Sequence, residues 1–455
     1  MFKRKEKTMD LLQVMPRGAA VIINKLESRG HGAYVVGGCV RDALTGGAPN
    51  DWDICTSAIP EEIIDCFGER YVIKTGIKHG TVTVKAEDGL YEVTTFRIDG
   101  VYKDGRRPES VEFVSDIRTD LSRRDFTVNA MAYNAREGIV DPFGGREDLA
   151  NGIIRCVGSP ERRFGEDALR ILRALRFASV LGFEIERGTA EAVHALKHLL
   201  EHIAKERIRD ELLKLCSGKN AYAVLWEYRD VITAIIPELA PCIGFEQHNR
   251  YHCYDVYCHI IHAVANYRGG DDAVAAALLL HDIEKPACFV LGPDGVGHCS
   301  GHAEKSSQTA RAVYTRLRFS RSLKESAAEL IKYHDAIIEP NKKSVRKWMR
   351  KLGEKQFMRL IDMKRADMFA QADIENAKRS AFLDELRDTA KRVIATGECY
   401  TLRQLALKGG DIKRLGVRET EIGEILGQAL DAVIDEKVPN EKLALIEYLR
   451  RTGII

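Results

Sequence analysis

A chain of 455 residues outgrows a single hydrophobic core, which stops enlarging near ~250 residues, so several modules are expected. Apolar residues at 45% and charged residues at 30% exclude a disordered or fibrous chain, and a net charge of only +2 means that any polyanion site must come from local clusters of Lys and Arg. The 11 cysteines form no CxxC pair, no run approaches the ~18 apolar residues of a membrane span, and the start MFKRKEKTMDLLQ lacks an apolar signal segment, so a reducing cytoplasm with no membrane partner is expected.

Residues 1–32 read as a helical extension. From Ala33 the pattern mixes β-branched runs with glycine turns (AYVVGG, DWDICTS, HGTVTVKAEDGLYEVTTFR), while CVRDALTG and PEEIIDCFG have helical spacing. This predicts a small α/β head over 33–155. After DPFGG, segments such as EDALRILRALRFASVL and KERIRDELLKLC carry apolar residues at 3.6-type spacing, which predicts a helical neck and body over 156–245. Eight of the 13 histidines then fall between His248 and His334, marking a module over 246–340. A helical tail over 341–455 opens with KKSVRKWMRKLGEK, where Lys342-Lys343, Arg346-Lys347 and Arg350-Lys351 could neutralise phosphates or simply form a solvated face. The fold class expected is α+β.

In YVVGGCVRD a strand leads into Gly37 and Gly38 and then a helix. Paired glycines allow a tight turn that brings backbone N–H groups near a phosphate, and Arg41 adds charge; a plain turn would look the same. Ten residues beyond Arg41 stand Asp51 and Asp53. Residues i and i+2 of a strand share a face, so both carboxylates would converge on a hard cation such as Mg²⁺, or else form a solvated edge. The GG turn upstream favours the metal.

GG followed at this spacing by DxD resembles the signature of the DNA polymerase beta nucleotidyltransferase superfamily, in which a third carboxylate stands on a neighbouring strand; Glu92 takes that place by analogy. LSRRDFTVNAMAYN, DPFGGREDL and EDALRILRALRFA resemble successive motifs of bacterial CCA-adding enzymes and the related poly(A) polymerases, in order from about Tyr34 to Phe177. The resemblance implies that Gly38 and Arg41 contact nucleotide, that Asp51 and Asp53 hold Mg²⁺, and that one of Arg123 and Arg124, with Arg124 the first choice, meets nucleotide or its phosphates. Asp125 would order the site, or else cap a helix.

Asp167, Arg170, Arg173 and Arg176, three residues apart, would line one face of one helix. In the family this helix resembles a protein template. Asp167 would accept from the amino group shared by cytosine and adenine and Arg170 would donate to the ring nitrogen, with Arg173 and Arg176 further toward the triphosphate. The resemblance therefore implies template-independent addition or repair of the 3′-terminal CCA of tRNA from CTP and ATP, with tRNA and not DNA as partner. FRIDGVYKDGRRPESVEF looks like the loop kept by members that add the terminal A. The alternatives are a poly(A) polymerase, a partial CC- or A-adding enzyme, or a phosphohydrolase with a nucleotide-binding head.

That last alternative comes from QHNRYHCYDVYCHIIHA, LLLHDIEKP, GHAEKS and KYHD, which resemble the HD phosphohydrolase superfamily. The resemblance implies a second divalent metal on His259, His281, Asp282 and Asp335, with His302 and His334 as further candidates. Glu284 departs from the glycine common after HDI, and its bulk would crowd or remodel the pocket.

Overall fold

β1 (Ala33–Val36) is buried along its whole length and divides its residues between two cores. Ala33 and Val35 join Ile22 and Leu26 of the helix Arg17–Ser28 on one face; Tyr34 and Val36 join Phe96, Ile117 and Leu121 on the other, as the two-residue strand period requires. The computed structural model describes residues 11–49, 51–74, 76–100 and 110–455.

β2 (Ile54–Thr56), β3 (Val72–Ile73), β4 (Thr81–Ala86) and β5 (Gly89–Thr95) extend the sheet. β6 (Arg97–Asp99) and β7 (Val111–Phe113) pair with each other alone, and β8 (Ala132–Asn134) and β9 (Gly138–Val140) close the seven-stranded sheet in the order β3-β4-β5-β2-β1-β8-β9. Only the β2–β5 pairing in this sheet is parallel. The head is thus a mixed, mainly antiparallel sheet, and the chain as a whole is α+β. The stretch YEVTTFR, expected as one strand, breaks at Phe96, whose N–H donates to Thr56 (2.7 Å) and whose carbonyl accepts from Val114 (2.9 Å). The centre of the loop expected to serve terminal A addition, 101–109, lies outside the described residues.

Two compact units divide the chain, Met1–Pro237 and Glu238–Ile455. In the first, the helix Leu169–Leu181 follows the head and packs against Lys205–Cys216. In the second, the helix Asp272–Leu280 (DAVAAALLL) is apolar all round and so lies in the interior, against Val256–Asn266, Arg321–Tyr333 and Glu354–Met368. Asp271 caps it by accepting the Ala273 N–H at 2.9 Å.

The basic helix Lys342–Leu352 carries a row of ion pairs. Lys343 and Lys347 share Asp435 at 3.1 and 2.8 Å, Lys342 meets Glu398 at 2.6 Å, Arg346 meets Glu436 at 2.7 Å, and Arg350 pairs with Asp431. These basic side chains are paired with carboxylates from later in the chain. Among the described residues no helix is long and apolar enough to cross a membrane.

Candidate active site

Strand alternation carries the head site. Ile54 and Val93 belong to one core and Cys55 to the other, so Asp53 and Glu92 project on the Cys55 side of the sheet. Asp51 and Asp53 lie just ahead of β2 rather than within it, yet the Asp53 carbonyl still accepts the Val36 N–H of β1 at 3.0 Å. Parallel pairing sets Ile54 beside Val93 and hence Asp53 beside Glu92. All three acidic residues are exposed. Although its surface reaches solvent, the protein around Asp53 raises its pKa by desolvation; Arg124 opposes the rise, and the charges of Glu92 and Asp51 add to it. These four groups share one electrostatic neighbourhood.

Gly37 has φ +78°, and a Cβ there would stand 2.9 Å from Nη1 of Arg124. Glycine therefore serves both the turn and the close approach of this arginine. Gly38 opens the helix Gly38–Leu44, and Arg41 in it is buried, donating through Nη1 to Asn129 (2.6 Å) and through Nε to Asp42 (2.8 Å). The two adjacent arginines diverge. Arg123 donates from Nε and Nη2 to the fully buried Asp120 (3.0 and 2.7 Å), whereas Arg124 lies 3.3 Å from Cys55 Sγ and 3.5 Å from Asp120, with a buried Nε that has no hydrogen-bond acceptor among the described residues. Arg124 is the one beside the carboxylates. Arg97 is held by Asp99 at 3.1 Å.

The expectation that Asp167 shares a helix with Arg170, Arg173 and Arg176 needs correction. Asp167 lies in a break between the helices Pro160–Glu166 and Leu169–Leu181, and only the arginines are helical. Its Oδ1 accepts the Leu169 N–H at 3.0 Å, satisfying a donor that a helix start leaves orphaned, which is where aspartate competes best with helical backbone. Arg207, from the helix Lys205–Cys216, grips the same carboxylate through both terminal nitrogens at 2.7 and 3.3 Å. Arg170 donates to Glu166 (2.7 Å) and to the Arg123 carbonyl (3.1 Å), so it joins this helix to the head. Arg173 donates twice to Asp125 Oδ2 (2.8 and 2.6 Å), and Arg176 lies 2.8 Å from Glu211 and 4.1 Å from the centre of the Phe177 ring. Burial alone would push Asp125 up, but Arg173, helped by the Asn129 amide and the charge of Arg170, more than reverses this and brings its pKa to about 2. Asp125 anchors the arginine helix and caps none.

In the second unit, helix ends deliver the histidines. His281 and Asp282 follow Asp272–Leu280, His334 follows Arg321–Tyr333, His302 begins His302–Arg316, and His259 lies in Val256–Asn266. The cluster splits in two across Asp282. Near Oδ2 are Nε2 of His259 (3.1 Å) and of His281 (3.3 Å); near Oδ1 are Nε2 of His302 (3.1 Å) and of His334 (3.4 Å). Asp335, expected with His259 and His281, instead stands 3.2 Å from both His302 and His334. The acid beside His259 and His281 is Asp367, at 2.9 and 3.4 Å, from the last turn of Glu354–Met368. Lys285 meets Asp282 Oδ2 at 2.7 Å. Glu284 does not crowd the cluster: its carboxylate accepts from Thr309 at 2.6 Å and turns onto the helix His302–Arg316.

Asn129, Arg207, Glu211 and Asp367 were not expected at either site. All four are held by long-range contacts that leave no local spacing pattern, and Glu211 looked like one more charge on an amphipathic helix.

A mixed sheet that sets DxD beside a third acid, with an arginine helix tied to the segment Arg123–Asp125, is the head of a nucleotidyltransferase. Comparison with known proteins agrees: residues 33–155 match "Poly A polymerase head domain" and residues 182–243 match "Probable RNA and SrmB- binding site of polymerase A". The CCA-adding enzyme of Lactobacillus delbrueckii subsp. bulgaricus is 32% identical over 443 residues, 96% of this chain and 97% of the relative. That of Ligilactobacillus salivarius is 50% identical over 212 residues, 47% of this chain and about half (52%) of the relative's length. The solved structure of the Bacillus stearothermophilus CCA-adding enzyme in complex with CTP is 30% identical, with a TM-score of 0.74 over 96% of this chain and 98% of the other. The chain belongs to the family of CCA-adding enzymes.

Proposed function

We propose that this chain adds or repairs the 3′-terminal CCA of tRNA, from CTP and ATP and without a nucleic-acid template, in the cytoplasm. The observation that carries this reading is the grouping of Asp53, Glu92, Asp51 and Arg124 on one side of the sheet, with Arg170 tied to the same segment through the Arg123 carbonyl. The donor set is all carboxylate oxygen, which suits a hard ion. Asp51, Asp53 and Glu92 would hold Mg²⁺, which supplies charge neutralisation at the triphosphate and acidifies the attacking 3′-hydroxyl. Arg124, with its unpaired Nε, would meet the phosphates, while Arg41 is fixed by Asn129 and Asp42 as a rigid wall of the nucleotide site. Arg173 and Arg176 are spent on Asp125 and Glu211 and would hold the arginine helix rather than reach the triphosphate.

Asp167 and Arg170 would read the base edge, since one acceptor and one donor suit both cytosine and adenine and meet a like partner on uracil and guanine. Arg207 leaves part of the Asp167 carboxylate available for this. A poly(A) polymerase or a partially adding enzyme would share this head; what favours full CCA addition is the sequence of the loop after β6. The test is incorporation of labelled CTP and ATP into tRNA lacking its 3′ end. Addition of C, C and A in order is expected, and runs of A, or C alone, would overturn the reading.

The histidine cluster supports a second divalent metal. Each imidazole has Nδ1 within hydrogen-bond distance of a backbone carbonyl, which fixes the tautomer and leaves the Nε2 lone pair for a cation, as histidine ligands usually are held. We read this module as a metal-dependent phosphohydrolase separate from the head.

A further inference from the structure

The outer half of the head sheet is bare on the side that carries the acids. Strand alternation sends Val82 and Val84 of β4 and Tyr91 and Val93 of β5 into one core, and turns Thr81, Thr83 and Lys85 with Leu90, Glu92 and Thr94 onto the other face. Over β1 and β2 that face is covered, because Phe96, Ile117 and Leu121 pack on Tyr34, Val36 and Cys55. Over β4 and β5 Leu90 is 64% exposed, Lys85 and Glu92 are exposed, and the three threonines are half-buried. The antiparallel register sets Thr83 directly across from Glu92, their Cβ atoms about 5 Å apart, and Ile73 of β3 across from Thr83. Asp53 stands on the far side of Glu92, so the row across the sheet runs Asp53, Glu92, Thr83, Ile73. Charge differs on the two sides of the acids. Toward β1 stand Arg124, which Gly37 admits by having no Cβ, and Arg41 on the helix Gly38–Leu44. Toward β4 stand hydroxyls: Thr81 and Thr94 hydrogen-bond each other at 3.0 Å, and the Thr83 hydroxyl has no partner among the described residues. Lys85, about 6.8 Å along the strand from Thr83, is the one cation of β4 and β5.

Resting on the reading of the head as a site of CCA addition, we propose that this bare face is the bed of the RNA's 3′-terminal nucleotide, and that the Thr83 hydroxyl bonds the 2′-hydroxyl of its ribose. In the transfer the 3′-oxygen joins the α-phosphorus, the bond from that phosphorus to pyrophosphate breaks, and the hydroxyl proton passes to water. Attacking and leaving oxygens lie in line on opposite sides of the phosphorus. Pyrophosphate carries the departing charge, so it leaves toward Arg124 and Arg41, and the attacking oxygen enters from the β4 side. A neutral hydroxyl serves a ribose there, since threonine both donates and accepts, whereas a second arginine group would hold the triphosphate in the reversed sense. With the 3′-hydroxyl at Glu92, the neighbouring 2′-hydroxyl falls over Thr83, the residue directly across the strand pair. Lys85 follows along β4 for the phosphate on the 5′ side, and Leu90, across from Lys85, gives an apolar floor. The terminal nucleotide changes with each addition, so its bed has to accept any base. Contacts to sugar and phosphate carry no sequence information, and an apolar floor takes the flat face of every base alike.

The experiment uses the full chain and a tRNA lacking its CCA end, made once with an ordinary terminal ribose and once with a 2′-deoxy terminal ribose. Thr83→Val keeps the branched shape and the strand preference and removes the hydroxyl. On ordinary tRNA it should lower kcat/KM about fivefold, the range of one neutral hydrogen bond, with KM for CTP within about twofold. The deoxy end should cost the parent protein about the same factor and cost Thr83→Val nothing further, while Thr83→Ser, which keeps the hydroxyl, should restore the sensitivity to the deoxy end. Losses that simply multiply, or a Thr83→Val protein as active as the parent, would overturn the contact. A second measurement needs no turnover: in EDTA, a tRNA ending in 4-thiouridine should cross-link within residues 71–94, and cross-links confined to other segments would overturn the bed. Failure of the parent protein to extend ordinary tRNA would overturn the reading as CCA addition instead, and the cross-link would still decide where the RNA end lies.

Discussion

The two charged centres of this protein are built in opposite ways. In the head, Asp51 and Asp53 stand exposed just ahead of β2 and Glu92 stands exposed within β5, and Arg124 is the cation that balances Asp53. In the second unit, four imidazoles are buried, each locked through Nδ1, and Asp282 is closed off from solvent. The first arrangement suits a metal that arrives with a triphosphate and leaves with its product. The second is a fixed cage, assembled as its helices fold. Exposed carboxylates contribute little to a core, so chemistry and stability should separate in the head and coincide in the cage.

The sharpest way to break this comparison is Asp51→Ala or Asp53→Ala. Loss of transfer by at least about a thousandfold is expected, with the melting temperature and tRNA binding kept. A mutant that melts, or one that still transfers, would show that the two centres are not different in kind. Next in size are Asp167→Ala and Arg170→Ala. Each should weaken the preference for CTP and ATP over UTP and GTP by about 1–3 kcal/mol, read as a ratio of kcat/KM values. Slow mutants that keep full preference would make these residues purely structural. Smallest is the basic helix Lys342–Leu352. Lys343→Ala and Lys347→Ala should change stability by no more than about 0.5 kcal/mol, because exposed ion pairs contribute little. They should also leave the salt dependence of tRNA binding unchanged; a slope lower by about one per residue would mean that they touch phosphate after all.

How far the sequence was legible depends on how local each signal is. The strand–GG–helix turn and DxD are short-range patterns, and the structure sets them side by side because β1 and β2 pair directly. Helical spacing likewise pointed to the mostly helical second unit, whose buried helix Asp272–Leu280 lies just ahead of the His281-Asp282 pair. Asp167 was misplaced because three-residue spacing continues through a break as readily as through a helix, and the side-chain bond to Leu169 that makes the break has no periodic signature. Asp335 was set beside the wrong histidines for a related reason. It adjoins His334 in sequence, whereas Asp367 reaches His259 and His281 from a helix of the segment read as tail. The paired state of the basic helix was hidden too, since Asp431, Asp435 and Glu436 come some ninety residues later.

The Asp125–Arg173 pair gives the protein an acid-resistant fastening. A carboxyl held at about 2 instead of 3.8 contributes about 2 kcal/mol to folding at neutral pH. Because the folded value is the lower one, that contribution is complete above the unfolded pKa of 3.8 and drains as pH falls from there through about 2. Surface pairs such as Arg187 with Glu191 fade without comparable effect. With the bond from Arg170 to the Arg123 carbonyl, this pair keeps the helix Leu169–Leu181 registered to the segment Arg123–Asp125, so proton uptake by Asp125 would loosen one of two ties. Asp125→Asn should be less stable than the parent protein by about 2 kcal/mol at pH 7, and in denaturant titrations that gap should close between pH 4 and pH 2. A gap that stays constant with pH would assign the stabilisation to packing instead of charge.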